Sequence, residues 1–228
     1  MMKAIVNVNR SWAIGRGGDL LVYIPEDMKF FRKMTAGAVV VMGRKTLESF
    51  PGGRPLKNRV NVVLTKDEAR IPQASKEAAD EYIASSGLTG ALAGDLRERF
   101  FAMLSRRADR AAAGKDPGTV LVSIPSEDVL QEILCDASRD TGGQHLMPET
   151  YVIGGASIYR KLLPYCDVCL VTINDFVPEE GNEADSWFPN LDAMPDWELA
   201  EEGPVQEHEG IHFRFCTYRR RRNETNSI

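Results

Sequence analysis

The chain carries a series of short, almost uninterrupted apolar runs: Ala38-Val39-Val40-Val41-Met42, Arg59-Val60-Asn61-Val62-Val63-Leu64-Thr65-Lys66, Thr119-Val120-Leu121-Val122, Tyr151-Val152-Ile153 and Val168-Cys169-Leu170-Val171-Thr172-Ile173. Runs of this length without polar alternation belong to strands covered on both faces, the hallmark of a parallel sheet. Residues 3–9, Lys-Ala-Ile-Val-Asn-Val-Asn, read the same way. Helical stretches lie between them, so the pattern predicts an α/β fold: an open, mostly parallel twisted sheet with helices on both faces. Two last strands, near Trp197–Ala200 and Ile211–Tyr218, are expected as an antiparallel C-terminal edge, and Arg219–Arg222 as a solvated basic tail. Ligands of such sheets bind at the carboxyl ends of the strands.

The residues just after each run therefore matter most. Val41-Met42 leads into Gly43-Arg44-Lys45-Thr46, and a short helix is expected from Thr46. Glycine, two cations and a hydroxyl at a helix start offer free N–H groups and positive charge to a phosphate; an ordinary strand-to-helix connection with solvated basic residues has the same composition. The strand over 59–66 also ends in a hydroxyl and a cation, Thr65-Lys66. Ile153 runs into Gly154-Gly155-Ala156-Ser157-Ile158-Tyr159, where paired glycines allow a ligand close to the backbone. Between Arg10 and Ile24, Gly15, Gly17 and Gly18 read as a glycine-rich lid; no helix comes directly after it, which sets Gly-x-Gly-Gly apart from a dinucleotide fingerprint.

Ile24-Pro25-Glu26-Asp27-Met28-Lys29-Phe30-Phe31 opens a helix expected over about 25–34. Pro25 suits the first helical position. Asp27, Phe31 and Met34 share one face, which sets a carboxylate at the end of an apolar stripe. Acids are also ordinary in a first turn, where they meet the positive end of the helix dipole. Ser126-Glu127-Asp128 caps a further helix through about Cys135.

Residues 67–117 break the rhythm. Leu92, Leu96, Phe100 and Met103 recur at helical spacing with Arg97, Arg99, Arg106, Arg107 and Arg110 nearby, which predicts one or two inserted amphipathic helices on a single domain spanning 1–228. The segment is expected to be a surface addition whose apolar stripe packs on a neighbouring helix or a second subunit.

Composition excludes several classes. A net charge of −5 argues against a general nucleic-acid binder, and no apolar run reaches a membrane span of ~20 residues. Met1–Val6 lack the apolar core of a signal peptide, which predicts a cytoplasmic location. Cys166-Asp167-Val168-Cys169 with His208 and His212 has the ligand types of a zinc site, but the interval is far longer than in a zinc finger. No metal is expected, and Cys135, Cys166, Cys169 and Cys216 are expected as buried free thiols.

Taken in order, Trp12-Ala13-Ile14-Gly15, Ile24–Phe31, Val41–Thr46, Gly53-Arg54-Pro55-Leu56, Val152–Tyr159 and Trp187-Phe188-Pro189 resemble the dihydrofolate reductase family, over Ile5 to Tyr218 apart from the insertion. The resemblance implies NADPH-dependent reduction of 7,8-dihydrofolate. It makes Asp27 the pterin-binding and catalytic acid, Thr172 the hydroxyl supporting it, Phe31 the ring packing the substrate, and Arg59 the clamp on the glutamate α-carboxylate. Ile5 and Arg54 complete the implied substrate contacts. Arg44, Lys45, Thr46, Thr65 and Lys66 match phosphate contacts of NADPH, with Arg44 facing the 2′-phosphate. Asn7, Ile14, Gly15, Leu20, Gly43, Leu64, Ile153, Gly154, Gly155, Ala156, Ser157, Ile158 and Tyr159 match the rest of the cofactor site, and Gly154-Gly155 a cis glycine pair. Two positions depart. Val22 stands where many members have a tryptophan that orders water, and Asn7 replaces a small apolar residue. A riboflavin-pathway pyrimidine reductase and an inactive relative share the fold; Asp27 with Arg59 favours folate over the first, and intact cofactor loops disfavour the second.

Overall fold

The computed structural model describes residues 2–84, 93–137 and 149–221. They form two compact units, Met1–Met34 with Val152–Ile228, and Thr35–Tyr151.

The first unit begins with β1 (Met2–Asn9), followed by β2 (Ala13–Arg16), β3 (Asp19–Leu20) and α1 (Pro25–Met34). The second contains β4 (Val39–Gly43), α2 (Arg44–Ser49), β5 (Val60–Leu64), α3 (Gln73–Glu77), β6 (Glu81–Ile83), α4 (Ala93–Ala112), β7 (Val120–Ile124) and α5 (Glu127–Ala137). The unit boundary falls within β8 (Thr150–Gly154). The chain then returns to the first unit with α6 (Ala156–Leu162), β9 (Cys166–Asn174), β10 (Ser186–Trp187), β11 (Trp197–Glu202), β12 (Gln206–His208) and β13 (Ile211–Arg220).

This is the α/β architecture that the apolar runs predict, with mostly parallel pairing inside and antiparallel pairing at the C-terminal strands. In the first unit β1 and β9 are parallel, β13 joins β9 antiparallel, and β11 and β12 both pair with β13. In the second unit β4, β5, β7 and β6 form one parallel row. Every residue of β5 and β7 is buried, which is why these strands are written without alternation. Helix α1 has the expected bounds, with Glu26 and Asp27 in its first turn and Arg32 and Lys33 in its last, both matched to the helix dipole.

The structure differs from the sequence pattern at several places, each with a physical cause. The glycine loop contains β2 and β3, held by pairing with each other and with β10 rather than by an apolar pattern. Gly15 is fixed there by space, since a Cβ would stand 2.4 Å from the Asp19 carbonyl oxygen. Helix α2 starts at Arg44, two residues before the expected start, so both cations lie in its first turn. The 67–117 segment is not purely helical, because β6 adds a strand beside β7.

The apolar stripe of α4 is covered by its own chain: Leu96, Phe100 and Met103 are fully buried. Helix α4 packs on β6, where Arg106 reaches Glu81 at 2.6 Å. Arg107, expected on a solvated face, is buried and donates to the carbonyls of Pro117, Gly118 and Asn58. Leu92 lies outside the described residues.

Arg220 is no solvated tail either. It ends β13, pairs with Asp196, donates to the carbonyls of Cys166 (3.1 Å) and Leu163 (2.8 Å), and stacks over Trp197. Arg222 lies outside the described residues. Cys166, Cys169 and Cys216 are buried free thiols, and burial pushes the Cys166 thiol up to about 12. The side chain of Cys135 lies outside the described residues. Among those described, no helix is long and apolar enough to cross a membrane.

Candidate active site

Asp27 sits in the first turn of α1, where solvation of a carboxylate is the default, yet it is only 5% exposed. Thr172 on β9 donates to its Oδ1 at 2.6 Å, and Asn7 on β1 donates to its Oδ2 at 3.2 Å. Asn7 and Thr172 are register partners in the parallel β1–β9 pair, so one pair of strands delivers both donors to one helix. Burial raises the carboxyl above its ordinary value, and the hydrogen bonds from Thr172 and then Asn7 oppose that rise. An ionised carboxylate has about four acceptor sites, two per oxygen. The protein uses one on each, leaving one on each for two parallel donors from a ligand.

The other expected residues of this unit lie on or next to β1, β2, β3, α1, β8 and α6. The Ile5 carbonyl accepts from the buried Tyr159 hydroxyl at 2.7 Å, which ties α6 to β1. Tyr159 is held in its neutral form by that burial. Ile14, Leu20 and Val22 line a shallow hollow with Asn7 and Asn174. Phe31 is half-buried on α1, four residues after Asp27. The Gly154-Gly155 peptide bond is cis, and Gly155 caps α6 without a side-chain bond. The Gly155 carbonyl accepts from both Ile158 and Tyr159 backbone N–H groups. Ile153 is half-buried at the end of β8, Ala156 is half-buried, and Ser157 is exposed in the first turn of α6.

In the second unit the candidate phosphate residues follow the ends of two paired strands, β4 and β5. Gly43 and Leu64 are register partners at the carboxyl ends of β4 and β5. Arg44, Lys45 and Thr46 follow one strand, and Thr65 and Lys66 the other. The first turn of α2 contains no acid, and its cap residue, Gly43, has no side chain to fill the space before it. These features fit a phosphate. Arg44 also pairs with Glu48 one turn on, so an anion would share this guanidinium with a carboxylate. Thr65 is oriented by its hydroxyl, which donates to the Asp67 carbonyl at 3.0 Å. Arg59 donates through Nε to the Thr35 hydroxyl (3.0 Å) and through Nη1 to the Lys57 carbonyl (2.7 Å). Arg54 is exposed just beyond the Pro51–Gly53 turn.

The sequence reading did not find Asn174. Its Nδ2 donates to Asn7 Oδ1 at 2.8 Å and to the Val8 carbonyl at 2.9 Å. The available signal was a polar residue ending an apolar strand on each side, Asn7-Val8-Asn9 and Thr172-Ile173-Asn174, with the same two-residue spacing. The imagined zinc ligands have other partners: His208 faces Glu26 at 3.8 Å and His212 faces Asp175 at 3.1 Å.

A family model described as dihydrofolate reductase matches residues 1–89 and 91–220. The chain is 32% identical over 213 residues to a dihydrofolate reductase of Mycobacterium tuberculosis (strain ATCC 25618 / H37Rv), covering 92% of each. It is 27% identical over 225 residues to a dihydrofolate reductase of Bacillus subtilis (strain 168), covering 97% of this chain and 95% of that one. A solved structure of dihydrofolate reductase from Enterococcus faecalis, complexed with NADP(H) and RAB-propyl, superposes with a TM-score of 0.61 at 25% identity, covering 96% of both chains.

Proposed function

The chain belongs to the dihydrofolate reductase family, and on that premise we propose how its residues divide the work of reducing 7,8-dihydrofolate to 5,6,7,8-tetrahydrofolate with NADPH. The product differs from the substrate by hydrogen at C6 and N5, so carbon takes a hydride and nitrogen a proton. NADPH supplies the hydride when bound.

Asp27 is the residue that grips the pterin. Its two remaining acceptor sites suit the parallel donors of the ring N3–H and the 2-amino group. A fixed negative charge in a desolvated site also favours the positive charge that develops when N5 takes its proton. Water can deliver that proton, because Asp27 needs only to stabilise the protonated ring. Thr172 holds the carboxylate, Phe31 packs the ring, and Ile5 forms part of the wall. Arg59 clamps the glutamate α-carboxylate, its guanidinium steadied by Thr35 and Lys57, and Arg54 is proposed as a further substrate contact. The buried, doubly bonded Asp27 carries this reading.

For the cofactor, Gly43, Arg44, Lys45, Thr46, Leu64, Thr65 and Lys66 are proposed to bind the phosphate-bearing half. Ile14, Gly15, Leu20 and residues 153–159 serve the remainder. Arg44→Ala should weaken NADPH by about tenfold or more, the scale of a charge-assisted hydrogen bond worth ~1.5–3 kcal/mol. NADH, which lacks the 2′-phosphate, should be weakened much less. Titrating both nucleotides into the variant decides it, and an equal loss for both would remove Arg44 from this role.

The reading as a whole is tested by NADPH consumption with purified protein. Turnover is expected with dihydrofolate and not with a riboflavin-pathway pyrimidine; the reverse preference would overturn the substrate assignment. The protein is proposed to act in the cytoplasm.

A further inference from the structure

The donors around Asp27 form a chain whose polarity is set by the backbone. The Phe176 N–H can only donate, and it meets Asn174 Oδ1 at 2.9 Å. Asn174 must then present Nδ2 to its other partners, the Val8 carbonyl and Asn7 Oδ1. With its oxygen turned to Asn174, Asn7 presents Nδ2 to Asp27 Oδ2. Both asparagines are located by strand register: Asn7 lies opposite Thr172, and Asn9 opposite Asn174. Asn9 braces the same strand ends, accepting from Ser11 and Ala13 and donating to the Phe176 carbonyl. Apart from Asn7 and Asn174, the hollow beside them is lined by apolar residues such as Ile14, Leu20 and Val22.

We propose that Asn7, oriented by Asn174, is a positioning residue for the reduction: it keeps the Asp27 carboxylate charged and aims it at the pterin. The proposal rests on the reading of Asp27 as the pterin-binding acid. Desolvation draws a proton back to a buried carboxylate, and a fixed N–H donor on its outer oxygen opposes that. Of the other groups around Asp27, Thr172 holds Oδ1 and the Tyr159 hydroxyl of α6 is bound to the Ile5 carbonyl. Glu26 on α1 lies 3.8 Å from His208 of β12 without a hydrogen bond to it.

A carbon-13 NMR titration of the Asp27 carboxyl in the full-length protein reads this without turnover. Asn7→Leu is expected to raise the midpoint by about one pH unit, the scale of a lost hydrogen bond to a charged group. If Asn7→Leu does not fold, Asn7→Ala, which adds no bulk, carries the same expectation. Asn174→Leu should raise the midpoint less, and the double variant no more than Asn7→Leu, because Asn174 acts through Asn7. The pH profile of turnover should move upward with the NMR midpoint, and the KM for dihydrofolate should rise. A folded Asn7 variant with an unchanged midpoint overturns the proposal, and so does a lowered Tm with no shift. Undiminished turnover in Asp27→Asn would instead overturn the reading of Asp27 on which the proposal stands, whatever the midpoints do.

Discussion

Asp27→Asn is expected to lose turnover by about a hundredfold or more at neutral pH, the scale of removing one fixed electrostatic group from an enclosed site. The amide keeps the shape but not the charge that favours a protonated pterin. Its residual rate should therefore climb as the solution becomes more acidic and supplies the proton itself. NADPH should bind as before, because the residues assigned to the cofactor are others. The same variant has a stability signature. Burial raises the Asp27 carboxyl above its ordinary value of 3.8, so the folded protein holds this proton to higher pH than the unfolded chain. In that interval the unfolded state carries fewer protons, and stability falls as pH rises until the folded group has ionised. Asp27→Asn should remove this contribution to the fall. Denaturant unfolding of both proteins across the acidic range measures it, and parallel curves would mean that Asp27 is no more desolvated than a surface carboxylate.

Phe100→Ala should cost about 3–5 kcal/mol, the usual loss for an aromatic ring removed from a packed core. Phe100 is fully buried between Leu96 and Met103 on α4, although sequence alone places that stripe on a peripheral insertion. Total stabilities of ~5–15 kcal/mol make such a loss a large fraction of the fold. Urea unfolding should show a much lower midpoint with a similar slope. A change below about 1 kcal/mol would mean that α4 is detachable from the sheet it covers. Replacing residues 68–116 by a short linker should be worse still, since it removes β6 together with the helix.

These two sites show what the sequence made legible. Strands β4, β5 and β7 are written as apolar runs because both of their faces are covered, and α1 is bounded by its proline and its charges. Asp27 stood out as a carboxylate at the end of an apolar stripe, whereas Thr172 was marked only by the family resemblance. Pairing partners were the hidden quantity. The short β2, β3 and β6 exist through pairing with other strands, β10 and β7 being distant in sequence, and no local pattern marks them. Asn7 read as a departure beside a cofactor, because nothing local reveals that it lies opposite Thr172 and is oriented by a residue 167 positions away. Arg107 and Arg220 read as solvated charges for the same reason, their carbonyl acceptors being set by tertiary structure.

The most direct test of the account is the fate of the transferred hydrogen. NADPH carrying deuterium at its transferable position, incubated with purified protein and 7,8-dihydrofolate, should yield tetrahydrofolate labelled at C6. The label should match the NADPH consumed one for one, with solvent hydrogen at N5, and Asp27→Asn should slow its appearance by the factor seen in turnover. NADPH oxidised without label at C6, or label transferred at the full rate without the Asp27 charge, would contradict it.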